Sequence, residues 1–196
     1  MEYFSGLFLA GFAGNLESCL NNLEVRVSSA MNDDLMKPFT KEEVNFALHQ
    51  MAPLKALGPD DLSASFFQSH WELMGTEVCC AIIDTLNFGI MPPQLNMMHI
   101  SLILKVKNPT CETDFSPISL CNVMYKLISK VLANLLKKIL PDIISPTQSV
   151  FISGRLITDN ILAAYETLHT MHTRLGGKKS FMTVKLDMSK AYDRVE

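Results

Sequence analysis

Apolar residues recur at helical spacing along most of this chain, and strictly alternating runs are few. Leu16, Leu20, Leu23 and Val27 mark residues 1–36 as one or two amphipathic helices. Phe39-Thr40-Lys-Glu-Glu43-Val44 then carries a helix start. Thr40 can cap, Glu43 can reach back to complete the box, and Phe39 can staple onto Val44. Val44, Ala47, Leu48 and Met51 share one face, and this helix is expected to stop before Pro53. Lys55-Ala-Leu-Gly-Pro-Asp-Asp61 reads as a turn. Leu62, Phe66 and Phe67 open another helix that runs through Trp71, and a further helix from Thr76 to Phe88 closes on Gly89, a fitting C-cap residue. His99-Ile-Ser-Leu-Ile-Leu-Lys105 predicts a strand leading to a turn at Asn108-Pro109. Met124 to Leu140 is the strongest helical segment: Leu127/Ile128, Val131, Leu135 and Ile139 form a stripe, with Lys126, Lys130 and Lys137 off it. Pro141 is read as its stop. A helix from Thr158 to Arg174 precedes Gly176-Gly177. Finally Met182, Val184 and Leu186 alternate with Thr183 and Lys185, the pattern of a strand. The fold class is α+β, helix-dominated with few strands.

Composition bounds the picture. A chain of 196 residues lies between one and two typical domains, and 48% hydrophobic residues suffice for a core. A net charge of −3 argues against a generally basic nucleic-acid binder. The average hides an asymmetry, however. Residues 1–100 carry 4 basic and 12 acidic side chains, and residues 101–196 carry 13 basic and 8 acidic. A polyanion partner fits the second half, but on charge alone a solvated surface of mixed charge is the favoured reading. The five cysteines (Cys19, Cys79, Cys80, Cys111, Cys121) are odd in number and lack CxxC spacing, against a disulfide framework or zinc site. Cys79 and Cys80 lie in an apolar run and are expected to be small buried hydrophobes. Leu7-Phe-Leu-Ala-Gly-Phe-Ala13 has Glu2 and no basic residue upstream, which is wrong for a secretory signal, and it is too short to span a bilayer. The expectation is an intracellular, non-secreted chain without a membrane segment, nucleus or cytoplasm left open, with Met1 an arbitrary start in a longer frame.

The last stretch carries the most chemistry. Its strand would deliver the Asp187 carboxylate at its end, followed by a tight turn and, five residues on, the Tyr192 ring after the small Ala191. That order suits a metal-chelated triphosphate: the acid takes Mg²⁺, which prefers a few carboxylates plus substrate phosphates, the amides face phosphate oxygens, and the ring packs on the sugar. The plain alternative is a surface strand ending in Asp, with Tyr192 an ordinary core ring.

Several segments taken in order narrow the choice. They are Lys55-Ala-x-Gly-Pro-Asp60, Leu102-Ile-x-Lys105, Asp114-Phe-x-Pro-Ile-Ser-Leu-Cys-Asn122 and Lys130-Val-Leu-Ala-Asn134. Gln148-Ser-x-Phe151-x-x-Gly154-Arg155 and Lys185-Leu-Asp187-Met-Ser-Lys-Ala-Tyr-Asp193 follow. The set resembles the reverse transcriptase of non-LTR (long interspersed element type) retrotransposons, plant-like in texture, over residues 37–196. Residues 1–36 would be a helical linker preceding the polymerase.

The resemblance implies part of a right-hand polymerase, the fingers and the start of the palm, truncated after the first catalytic Asp motif. It assigns Asp187 as the first metal-binding carboxylate, with the Met188 carbonyl as a further Mg²⁺ ligand. The backbone amides of Lys190 and Ala191 would meet the triphosphate, and Tyr192 would exclude a ribose 2′-hydroxyl. Asp193 would be structural. Lys105 resembles a fingers lysine near the dNTP (its alternative is a solvated strand-end lysine), and Gly154-Arg155 a template-side contact. RNA template and DNA primer are the implied partners. A protein partner covering the exposed palm-facing surface is a further expectation.

Departures from the family pattern are informative. Ser116 stands where an arginine usually grips the triphosphate, and a hydroxyl cannot replace a planar guanidinium fork. Leu57, Asp61, Leu104, Leu135 and Ser153 stand where Pro, Gly, Pro, Arg and Pro are usual. Lost prolines remove restriction from turns. The implied reaction is attack of a primer 3′-hydroxyl on a dNTP α-phosphate with release of pyrophosphate. Two-metal catalysis needs further carboxylates, so the 196 residues alone are expected to be inactive. A non-catalytic RNA- or protein-binding remnant of a decayed element is the alternative, and a splicing maturase ranks below both.

Overall fold

The computed structural model describes residues 21, 24–149, 152–173 and 182–186. Two compact units divide the chain: Val27–Leu140, and a second comprising Met1–Arg26 with Pro141–Glu196. The architecture is α+β, mostly helical with one two-stranded antiparallel sheet among the described residues.

The first unit begins with α1 (Ser29–Leu35), capped by the Ser28 hydroxyl, which accepts from the Met31 N–H. Helix α2 (Lys41–His49) starts as its sequence requires. Thr40 Oγ accepts from the Glu43 N–H at 3.2 Å, and the Glu43 carboxylate accepts from the Thr40 N–H at 3.1 Å. Two orphan amides of the first turn are thereby satisfied. Val44, Ala47 and Leu48 are buried, and Phe39 and Met51 pack against the cluster they belong to.

The segment read as one helix from Leu62 through Trp71 is two: α3 (Ala64–Ser69), capped by Ser63, and α4 (Trp71–Phe88), which starts five residues before the predicted Thr76. Gly75 lies inside α4 because the Trp71 indole covers it. A Cβ there would stand 2.8 Å from Cδ2 and Cε2 of that ring. The helix ends where expected, with Gly89 left-handed at φ 66° and its N–H on the Thr85 carbonyl at 3.0 Å. Val78, Cys79 and Ile82 are buried, so Cys79 is the small hydrophobe expected and burial pushes its thiol pKa up. Cys80 corrects the reading, being exposed, since adjacent helical positions point some 100° apart and only one of the pair can face the core.

Strand β1 (Met98–Leu104) pairs antiparallel with β2 (Phe115–Cys121), Met98 opposite Cys121 and Leu104 opposite Phe115. The second strand had no alternation to announce it. Ser116, Pro117 and Ser119 break the pattern, and Pro117 is tolerated because β2 has no further neighbour among the described residues to need its missing N–H. All seven β1 residues are exposed, Ile100, Leu102, Ile103 and Leu104 between 47% and 55%.

Helix α5 (Val123–Leu136) completes the core with Val123, Leu127, Ile128 and Val131. It stops at Leu136, four residues before the predicted end. Pro141 is not its stop but the second residue of a short helix, α6 (Leu140–Ile143), an early position where the absent N–H costs nothing. In the second unit α7 (Ile157–Thr173) buries no residue. Residues 182–186 form no strand: Met182, Val184 and Leu186 are 84%, 62% and 89% exposed. Alternation specifies which face would be buried, but a strand also needs a hydrogen-bonding neighbour, and the two strands described pair with each other.

Candidate functional site

Two of the sequence segments singled out above meet in the first unit. Gly58, buried in the Lys55–Asp61 loop, packs on the backbone where β2 passes into α5. A Cβ on it would lie 2.4 Å from the Asn122 nitrogen and 2.5 Å from the Cys121 carbonyl carbon and oxygen. Only glycine permits that approach. From the other side Lys126 Nζ donates to the Ala56 carbonyl at 2.7 Å. Asn122, 5% exposed, caps α5 by accepting the Tyr125 N–H at 2.7 Å, while its amide donates to the Leu95 carbonyl at 3.0 Å. One buried side chain therefore fixes the helix start and the approach to β1.

Lys105 follows β1 at the base of the hairpin loop. Its N–H donates to the Asp114 carbonyl at 2.8 Å and its amine to the Thr113 carbonyl at 3.2 Å. The Asp114 carboxylate closes the same loop, accepting the Thr110 and Cys111 N–H groups at 2.8 and 3.2 Å. Those backbone bonds, Thr110 first, hold its pKa below the ordinary aspartate value. Ser116 lies in β2 opposite Ile103.

Gly154 and Arg155 lie in the second unit. The Arg155 N–H closes on the Ile152 carbonyl at 3.3 Å, with Gly154 at φ 80° in the third position of the turn. That is the place a type II turn reserves for glycine; space is not the reason, since no atom lies within 4 Å of where its Cβ would be. The Arg155 guanidinium donates to the Ser145, Gln148 and Pro141 carbonyls at 2.6, 2.8 and 3.3 Å, binding the 141–155 segment together.

Asp187, Met188, Lys190, Ala191 and Tyr192 lie outside the described residues. Among those described, no group of three or more His, Cys, Asp or Glu side chains could hold a metal ion. No described helix is long and apolar enough to cross a membrane.

Residues 105–196 match the family model described as reverse transcriptase (RNA-dependent DNA polymerase). That stretch holds all the site residues named from the sequence. The chain is also similar to the Transposon TX1 uncharacterized 149 kDa protein of Xenopus laevis, 31% identical over 170 residues. The alignment covers 87% of this chain and 13% of that protein, so these residues span a small part of the relative's length. Residues 105–196 are thus similar to reverse transcriptase sequence, and the chain is distantly similar to a transposon protein.

Proposed function

We propose that these residues are the fingers and first palm segment of a non-LTR retrotransposon reverse transcriptase, serving RNA-templated addition of dNTPs to a DNA primer. The observation that carries the reading is the family match over residues 105–196, which takes in Lys105, Gly154, Arg155, Asp187, Met188, Lys190, Ala191 and Tyr192 together.

In this reading the hairpin loop presents Lys105 toward the triphosphate, where a cation compensates phosphate charge. The amides of Lys190 and Ala191 donate to phosphate oxygens, and the Tyr192 ring leaves no room for a 2′-hydroxyl. Arg155 shapes the template side by ordering residues 141–155 through its three carbonyl bonds. Asp187 and the Met188 carbonyl are the Mg²⁺ ligands, an ion that in this class of reaction stabilises charge on the transferring phosphate. The described residues do not themselves form a metal site.

The decisive assay is primer extension on poly(rA)/oligo(dT) by the longest reading frame containing these residues. Asp187→Ala should abolish extension, whereas extension that survives the substitution refutes the assignment. Extension by the 196 residues alone would overturn the expected inactivity.

A second reading, a protein-binding remnant, is favoured by apolar surface. On α7, Ile157, Ile161, Leu162, Tyr165 and Leu168 are between 52% and 66% exposed, and contiguous surface of that kind calls for a covering partner. Association that is insensitive to salt would support it.

A further inference from the structure

The two strands of the hairpin leave two free edges among the described residues, and the edges are not alike. Lys105, next along the ladder from the Leu104–Phe115 pair, donates its N–H to the Asp114 carbonyl across from it. Bonded and unbonded pairs alternate along antiparallel strands. Ile103, Ser101 and His99 therefore turn their main-chain groups toward β2, while Met98, Ile100, Leu102 and Leu104 turn theirs outward. On β2 the outward position opposite Leu102 is Pro117, which has no N–H to offer. That edge is blunted at its centre. The β1 edge, Met98-His-Ile-Ser-Leu-Ile-Leu104, carries no proline, no Asp, Glu, Lys or Arg, and no bulge in its one-to-one register. Those are the devices that keep sheet edges from pairing, and β1 has none of them.

All seven β1 residues are exposed, and no further strand stands against them among the described residues. A two-stranded sheet is marginal by itself, and further strands over an apolar face stabilise it. The four residues with outward main-chain groups also put their side chains on one face of the sheet, Leu102 and Leu104 beside Pro117 and Phe115. This edge is complementary to itself. Two copies of β1 running antiparallel about Ser101 set Met98 opposite Leu104 of the second copy, and Ile100 opposite Leu102 of the second copy. Outward groups then meet outward groups at every pair, forming about eight main-chain hydrogen bonds and laying four apolar side chains beside four more. A slip of one residue would set outward groups against inward ones. Charge selects the direction. Parallel copies would bring one Lys105 against the other, a repulsive pairing, whereas antiparallel copies send the two amines to opposite ends.

We propose that the free edge of β1 docks the β1 strand of a second copy of this chain, giving a four-stranded sheet in the order β2-β1-β1-β2 about a two-fold axis at Ser101. An isologous contact of this kind closes at two copies. Seven residues a side is small beside the roughly 20–30 of a stable interface, so the pair forms and dissociates with concentration. The contact is independent of the polymerase reading.

The test is sedimentation equilibrium of the full chain over a concentration series reaching about 1 mM, enough to populate even a weak contact. The mass should rise from one chain toward two and stop there. A chain that stays single throughout, or grows beyond two, overturns the proposal. Leu102→Pro removes one outward N–H from each copy and leaves the β1–β2 bonds through Ile103, Ser101 and His99 in place. It should weaken pairing about 10–100-fold, the loss of two main-chain bonds. Ser101→Lys and Ser101→Glu, at an exposed position, give a second reading if the proline unsettles the hairpin. Each alone sets like charges directly opposite and should weaken pairing about fivefold, and an equimolar mixture of the two should restore it. If the single variants pair as tightly as the unaltered chain, or the mixture pairs no better than either alone, the contact lies elsewhere and the proposal falls. Amide exchange identifies the occupant. Exchange at Ile100 and Leu102 should slow as concentration rises; if both are already protected in the dilute chain, another segment of the same chain covers the edge and the assignment to a second copy falls.

Discussion

Gly58→Ala is the sharpest perturbation available in the first unit. The added methyl would sit 2.4–2.5 Å from three backbone atoms of Cys121 and Asn122, and backbone cannot swing aside as a side chain can. The loop must lift off the β2–α5 junction. Overpacking of this kind costs about 1–3 kcal/mol, and disturbing the Asn122 cap adds roughly 1 kcal/mol. The lift also loosens the Lys126–Ala56 bond, so the expected loss is about 2–4 kcal/mol, a large share of a typical domain's 5–15 kcal/mol. Urea unfolding followed by the fluorescence of Trp71, the chain's single tryptophan, reads the loss as a lower midpoint at unchanged slope. Gly89→Ala is the internal comparison. That residue has φ 66° and no atom within 4 Å of the new methyl, so only the left-handed backbone is penalised, by about 1–2 kcal/mol. A Gly58→Ala loss below about 0.5 kcal/mol, or smaller than that of Gly89→Ala, would refute the crowding argument.

Asp61, a non-glycine residue at φ 51°, should gain roughly 0.5–1 kcal/mol on replacement by Gly, because relief of the left-handed backbone exceeds the entropy glycine loses; a lowered urea midpoint would contradict this. Ser153 occupies the second position of the Ile152–Arg155 turn, where Pro pre-sets the backbone. Ser153→Pro should add about 0.4–1 kcal/mol, read as slower amide exchange at Arg155, and faster exchange there would count against the turn. Asp114 has its pKa lowered by the Thr110 and Cys111 N–H bonds. Its contribution is thus complete above the ordinary aspartate value near about 3.9 and is lost as pH falls through its lower folded value. Amide exchange at Thr110 should quicken in that acid window, and Asp114→Asn should remove the pH dependence; an unchanged acid response in the variant would sink the argument.

What could be read from the chain depended on how local its cause was. The Thr40–Glu43 box, the Gly89 stop and the Leu127, Ile128 and Val131 part of the α5 stripe are set by neighbours within one or two turns, and each appeared as expected. Strand β2 depends on β1, more than ten residues away, and its own Ser-Pro-x-Ser texture hides it. The 182–186 alternation has the converse fault, a correct period without a neighbour to pair with among the described residues. The helix read as ending at Trp71 and the one read as starting at Thr76 join across Gly75, and the Trp71 ring that fills the glycine's space is visible only in three dimensions. Lys105 and Arg155 could be named from their motifs, but not their carbonyl partners. The seating of the Lys55–Asp61 loop at the start of α5 escaped entirely, since Ala56 lies 70 positions from Lys126 and only the folded chain brings them together.

Arg155 gathers three main-chain carbonyls of the second unit onto one side chain. One flat cation serves three oxygen acceptors spread over eight positions, 141 to 148, so their order is shared rather than independent. Lysine, with a compact head, could satisfy one of them and would strand the others. Damage at this one codon would therefore release all three carbonyls at once, while changes at the acceptor positions, which offer main-chain oxygen whatever their side chain, would pass almost unnoticed.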